Sequence, residues 1–169
     1  MMSGVKITTD NAAAVLAALH RLTNMEALVG IPSSKAHRDK GEDLNNAEIG
    51  YLQSTGGTVR LGGKTVTLPP RPFLEMGIED TKPITTEHLK AAADYAIEGK
   101  FEAVERELER AGMVAMNGAK KVISDGDRLH PLSEQTKARR IDNGQDIKPL
   151  YDTGSLLKSI TYVVRNKGE

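Results

Sequence analysis

A few groupings of residues in this 169-residue chain have types and spacings that could do chemistry. Asp152-Thr153-Gly154 reproduces the turn on which aspartic proteases carry a carboxylate. That reaction needs a second carboxylate to share one proton, which this chain would supply only as a symmetric dimer. Gly62-Gly63-Lys64-Thr65 looks like the end of a phosphate-binding loop. Such a loop requires glycine at position 58, where Thr58 stands, and a helix after the Lys-Thr pair whose amides point at phosphate. Val66-Thr67-Leu68-Pro69-Pro70 follows instead, a strand running into prolines. His20, His37, His88 and His130 are scattered, none at metal-ligand spacing from another. Lys137-Ala138-Arg139-Arg140 is a basic cluster that suits either phosphate contact or a solvated loop. These residues lead to the expectation of no catalysis, no metal and no cofactor. A hydrolase using the Asp-Thr-Gly turn and a nucleic-acid-binding regulator using residues 137–140 stand as the alternatives.

The bulk composition agrees with that reading. Lysine plus arginine and aspartate plus glutamate each number 23, so the net charge is zero and the whole chain has no electrostatic pull toward DNA or an anionic membrane. A local basic patch is still open to it. With no cysteine there are no disulfides, thiol nucleophiles or thiolate metal sites. No apolar run has the length of a membrane span, and residues 1–10 lack the basic-then-apolar pattern of a secretion signal. A soluble protein made in a cytoplasm is expected. At 38% hydrophobic and 4% aromatic, the core must be built mainly from Leu, Ile, Val and Ala. The length fits one domain spanning residues 1–169.

The elements that would position these residues follow from periodicity. Thr9 or Asp10 can cap a helix to about residue 25, with Ala12, Val15, Leu16, Leu19 and Leu22 forming one buried stripe. Ala27-Leu28-Val29-Gly30-Ile31 reads as a short strand stopped by Pro32. Residues 33–45 are polar and read as an exposed, mobile loop. Residues 46–52 offer a turn or two of helix before Gly56-Gly57. Thr58-Val59-Arg60-Leu61 and Lys64-Thr65-Val66-Thr67-Leu68 flank Gly62-Gly63, a strong hairpin signal. Three prolines in the four positions 69–72 make Pro69-Pro70-Arg71-Pro72-Phe73-Leu74 an extended segment. Helical patterning returns after Pro83 and ends at Gly99. A longer helix over residues 100–124 has apolar or small residues at three- and four-residue steps, including Ala111, Ala115 and Gly118, suited to close packing. Residues 124–149 read as a second mobile loop, and the chain finishes with a helical turn leading into a strand. The fold class expected is α+β: a small antiparallel sheet with a long hairpin, packed by two or three helices.

Pro70-Arg71-Pro72-Phe73-Leu74 together with Lys148-Pro149-Leu150-Tyr151-Asp152-Thr153-Gly154-Ser155-Leu156-Leu157-Lys158-Ser159-Ile160 resembles a group of tailed-bacteriophage proteins described as neck, tail-completion or virion-morphogenesis proteins. Val29-Gly30-Ile31, Asn46-Ala47-Glu48-Ile49-Gly50 and Pro131-Leu132-Ser133 followed by Thr136 agree with it, so the resemblance spans about residues 29–164. The family often has Glu-Phe-Gly where this chain has Gln53-Ser54-Thr55-Gly56. In one branch the Thr-Gly-x-Leu-x-x-Ser-Ile block precedes the Val-Gly strand, whereas here it comes last. Both orders build one sheet if the terminal strand lies beside the first.

The resemblance implies a virion structural protein of the neck or tail end, made in the host bacterial cytoplasm. It would act through a homo-oligomeric ring with other phage neck or tail proteins as partners and no membrane. A ring needs two unlike surfaces per subunit, repeated head to tail. On that reading the proline segment is a preset contact surface: Phe73 and Leu74 would anchor in a pocket and Arg71 would fork onto a carboxylate. Equally, Phe73 and Leu74 could enter the subunit's own core. Arg60 and Lys64 beside the hairpin tip are candidates to face DNA in a channel or an acidic partner. For Asp152 to Ile160 the simpler role is a turn capping a helical step, with Leu156, Leu157 and Ile160 inside.

Overall fold

Small residues recur along the middle of the chain, and they let two helices lie unusually close. In the computed structural model, which describes residues 10–38, 44–61 and 63–168, these are α3 (Phe73–Ile97) and α4 (Phe101–Asp125). They form an antiparallel helical hairpin turned at Gly99, whose φ of 74° is left-handed. At their crossing a side chain on Gly77 would lie 2.2 Å from the Ala119 amide nitrogen, and one on Gly118 would lie 2.5 Å from the Gly77 carbonyl oxygen. Glycine is therefore a packing requirement at both positions. The remaining elements are α1 (Ala12–Thr23), β1 (Met25–Gly30), a 3-10 turn at Ser33–Lys35, α2 (Asn46–Thr55), β2 (Gly57–Leu61), β3 (Lys64–Leu68), α5 (Glu134–Asp142), α6 (Ser155–Ser159) and β4 (Thr161–Asn166).

The fold is α+β, with two antiparallel sheets of two strands each. β4 pairs with β1 from Met25 opposite Asn166 to Gly30 opposite Thr161, so the last strand does lie beside the first. Alternation sends Met25, Ala27, Tyr162 and Val164 toward α4, where Gly112 leaves room for the Tyr162 ring: a side chain there would meet Cδ2 at 2.7 Å. The opposite face carries Leu28 beside Val163 and Glu26 bonded to Arg165 at 3.0 Å. The second sheet is the hairpin of β2 and β3, in the register expected from the sequence, with Leu61 opposite Lys64.

Two apolar clusters sit at the ends of the helical hairpin. Phe73 packs with Ala119, Val122, Ile123, Leu129, Leu156 and Ile160 at one end. Ala92, Ala96, Val104 and Leu108 pack at the other, against Leu22, Met25, Tyr95, Phe101 and Val164. Arg21 lies 3.8 Å above the Phe101 ring, an attraction of cation for π-electrons that ties α1 to the start of α4.

Several sequence expectations are corrected. Helix α3 does not wait for Pro83; it begins at Phe73 and runs through that proline. A proline inside a helix loses a hydrogen bond and crowds the carbonyl four residues back. Pro83 stays on the exposed side, while Phe73, Gly77, Ala92 and Ala96 are buried on the other, so packing along α4 overrides the local break. The extended proline segment accordingly ends at Pro72. Residues 124–149 are not a continuous loop, because Ser133 caps α5 through a bond from the Thr136 amide. Helix α1 buries only Ala18, and Leu16 is 67% exposed, so its stripe is lightly covered. Thr9 lies outside the described residues, as do residues 39–43 of the first polar segment; Asp10 accepts the Ala12 amide at 2.9 Å.

Candidate functional site

The proline segment is where sequence and structure part most clearly. The Arg71 guanidinium donates to the carbonyls of His130 at 2.7 Å and Pro131 at 3.0 Å, and to Gln53 Oε1 at 2.9 Å. Its backbone amide adds a fourth tie, to the Gln53 carbonyl at 2.8 Å. Burial pulls its pKa below that of free arginine, yet a guanidinium keeps its charge in a protein. Phe73 is fully buried in the first apolar cluster. Arg71 and Phe73 are thus internal groups: the contact surface expected at Arg71 is corrected, and for Phe73 the alternative of entering the subunit's own core holds. The reason is the fork of donors on arginine, which fits backbone carbonyls as well as a partner's carboxylate. Leu74 is half-buried against the same cluster and lines a shallow groove of about 240 Å³ with Ile31, Tyr51 and Thr55.

What the Arg71 staple positions is the hairpin. Asn45 caps α2 by accepting the Ala47 and Glu48 amides, while Glu48 accepts the Asn45 amide at 2.8 Å. The helix stops at Gly56, whose φ is 69°. A side chain there would lie 2.8 Å from the Leu68 carbonyl oxygen and the Pro70 nitrogen, so the two hairpin stems can meet only over glycine. Beyond that pinch, among the described residues, β2 and β3 pair with each other alone, and Thr58, Arg60, Thr65, Val66 and Thr67 are all exposed. Arg60 stands near the tip as expected; the side chain of Lys64 lies outside the described residues.

Thr153 Oγ1, and not Asp152, accepts the Ser155 amide at 3.3 Å, and Gly154 (φ 76°) opens α6. Leu156 and Ile160 point into the core and Leu157 packs against it. The Ser155 hydroxyl accepts from the buried Asn46 amide at 3.1 Å, joining α6 to the start of α2. The Asp152 side chain is largely solvated, 3.3 Å from Gln145 Nε2 and 4.0 Å from Arg140. Arg140 itself donates to the carbonyls of Asp146, Lys148 and Tyr151 at 2.9, 3.2 and 2.7 Å. In the basic cluster, then, Arg140 staples a turn, Lys137 pairs with Glu134 at 2.7 Å, and Arg139 is exposed on α5.

One polar cluster and one groove escaped the sequence reading. Glu107, buried on α4, bonds His88 Nδ1 of α3 at 2.7 Å and also pairs with Arg110. The His88 bond chiefly, and Arg110 after it, hold this carboxyl below the ordinary range against the opposing cost of burial. His88 and Glu107 are 19 residues apart, which leaves no local signal. The groove, of about 300 Å³, runs between β1 and α3 over a floor of α4. Its walls are Met25, Ala27, Val29, Ile78 and Leu89, and its floor is Leu108, Ala111, Gly112 and Ala115. Among the described residues no backbone group pairs with the side of β1 turned away from β4. The chain matches no family model, no curated protein and no solved structure.

Proposed function

We propose that this protein is a structural component of a tailed-bacteriophage particle, placed at the neck or tail end, where it works by assembling into a ring. The observation that carries the reading is the hairpin β2–β3, whose outer backbone edges are unpaired among the described residues and which exposes its threonines, Val66 and Arg60. A lone two-stranded hairpin is marginally stable in water, and open strand edges are templates for another chain. Such an element fits a protein that completes itself on a neighbour. The order of short motifs across residues 29–164, read as a resemblance to neck and tail-completion proteins, supplies the setting. Other neck and tail proteins are the proposed partners, and Arg60 is the residue proposed to face DNA or an acidic ring in a channel.

The test is genetic and visual. Inactivating the gene in a phage or prophage that carries it should leave filled heads and free tails that do not join, or tails of faulty ends, with capsid assembly intact. Complementation from a plasmid should restore whole particles. Normal infectious particles from the inactivated strain would overturn the reading.

A further inference from the structure

We propose that the groove beside β1 receives the hairpin of a second copy of this chain, one outer hairpin strand adding to the free edge of β1. The inference rests on the assembly reading above and names the two surfaces that reading would use. Two observations support it.

First, the groove is made for a strand. The inward-facing residues of β1 form one wall, and the exposed apolar Ile78 and Leu89 of α3, at 42% and 49%, form the other. A strand hydrogen-bonded to β1 would direct alternate side chains onto this floor, as in other cases of strand addition. Second, the hairpin has the matching pattern. Its register places Gly57, Val59 and Leu61 with Leu68, Val66 and Lys64 at positions of one face, and Thr58 and Arg60 with Thr67 and Thr65 on the other. The first face is mainly apolar in composition, yet Val66 is 37% exposed, and among the described residues the hairpin strands pair with no other strand. Each hairpin strand has five residues and β1 has six, so the ladder lengths agree.

Groove and hairpin are different surfaces of one chain, so the contact is head to tail. A head-to-tail contact closes into a ring when the rotation between subunits allows it.

The chain has no cysteine, which makes disulfide trapping in the full-length protein clean. Chains carrying Val66→Cys would be mixed with chains carrying Leu89→Cys under mild oxidation. Both positions are exposed, and circular dichroism checks that each variant folds. The mixed pair should form dimer about tenfold faster than either variant alone or than a control mixture of Val66→Cys with Arg106→Cys, a preference that would register even for weak association. Trapping no faster than the control would overturn the proposal. So would faster self-dimerisation of a Leu28→Cys chain, which marks symmetric pairing of β1 with β1. An internal disulfide in a chain carrying both Ile7→Cys and Leu89→Cys would give the groove to the subunit's own first residues, and would also overturn it. The virion reading fails separately: the mixed dimer can form in a protein that purified particles do not contain, and a particle component can fail to form it.

Discussion

Arg71 shows how far a residue's type can be read and where that stops. An arginine between prolines is recognisably a group that will satisfy several acceptors in fixed geometry. Its acceptors, the carbonyls of His130 and Pro131, lie about sixty positions away, and no local pattern points to them. Replacing Arg71 with alanine should cost about 2 kcal/mol, because a buried guanidinium loses three charge-assisted hydrogen bonds; Arg71→Lys should recover little, since an ammonium cannot span all three acceptors. Urea unfolding midpoints check both. Gly77→Ala should cost at least about 3 kcal/mol, the clash being with the backbone of α4 and not with a side chain that can turn aside. Glu107 belongs to the same scale. Its folded pKa is lowered, so the stability it contributes is full above its unfolded value, about pH 4.3. That contribution is lost as pH falls through the folded value. Thermal unfolding followed below pH 5 should therefore show a shallower acid loss for Glu107→Gln than for the natural chain, starting from a lower stability at neutral pH.

Among the elements, those set by local chemistry were legible and those set by packing were not. The hairpin could be read with its register because Gly62-Gly63 between β-branched runs leaves few other solutions. Helix α4 was legible within one residue at each end from its stepped small residues. Helix α3 was misplaced at its start, because Pro83 is a correct local stop signal that the long contact with α4 overrides. Helix α5 was missed: its nine residues are too few, and too polar, to show an apolar stripe. Two substitutions test these accounts. Pro83→Ala should stabilise the protein by up to about 3 kcal/mol, since the new amide can bond the carbonyl of Glu79 at an exposed position. Gly56→Ala should lower stability and loosen the hairpin stem, because it combines a left-handed φ with contact against the Leu68 carbonyl. Amide exchange across β2 and β3 would report that loosening directly.

Across the whole molecule, α4 is the axis: α3 lies along it, β1 and β4 lie across it, and the last strand closes onto the first through the Tyr162–Gly112 contact. The segments that carry the family resemblance mostly serve this frame. Arg71 and Phe73 pin the start of α3, and the Asp-Thr-Gly turn delivers Leu156 and Ile160 to the core. Of the surfaces expected to meet partners, Arg60 on the hairpin is the one whose side chain is seen exposed, and the groove beside β1 had no sequence signal because three elements distant in sequence, β1, α3 and α4, build it. On the proposed function, this chain is built into the neck or tail end of a phage particle in several copies. Quantitative mass spectrometry of gradient-purified, infectious particles tests it most directly. Peptides from this chain should co-purify in a fixed, multiple-copy ratio to the portal and tail-tube proteins; their absence from those particles, in lysates where the protein is abundant, would contradict the account.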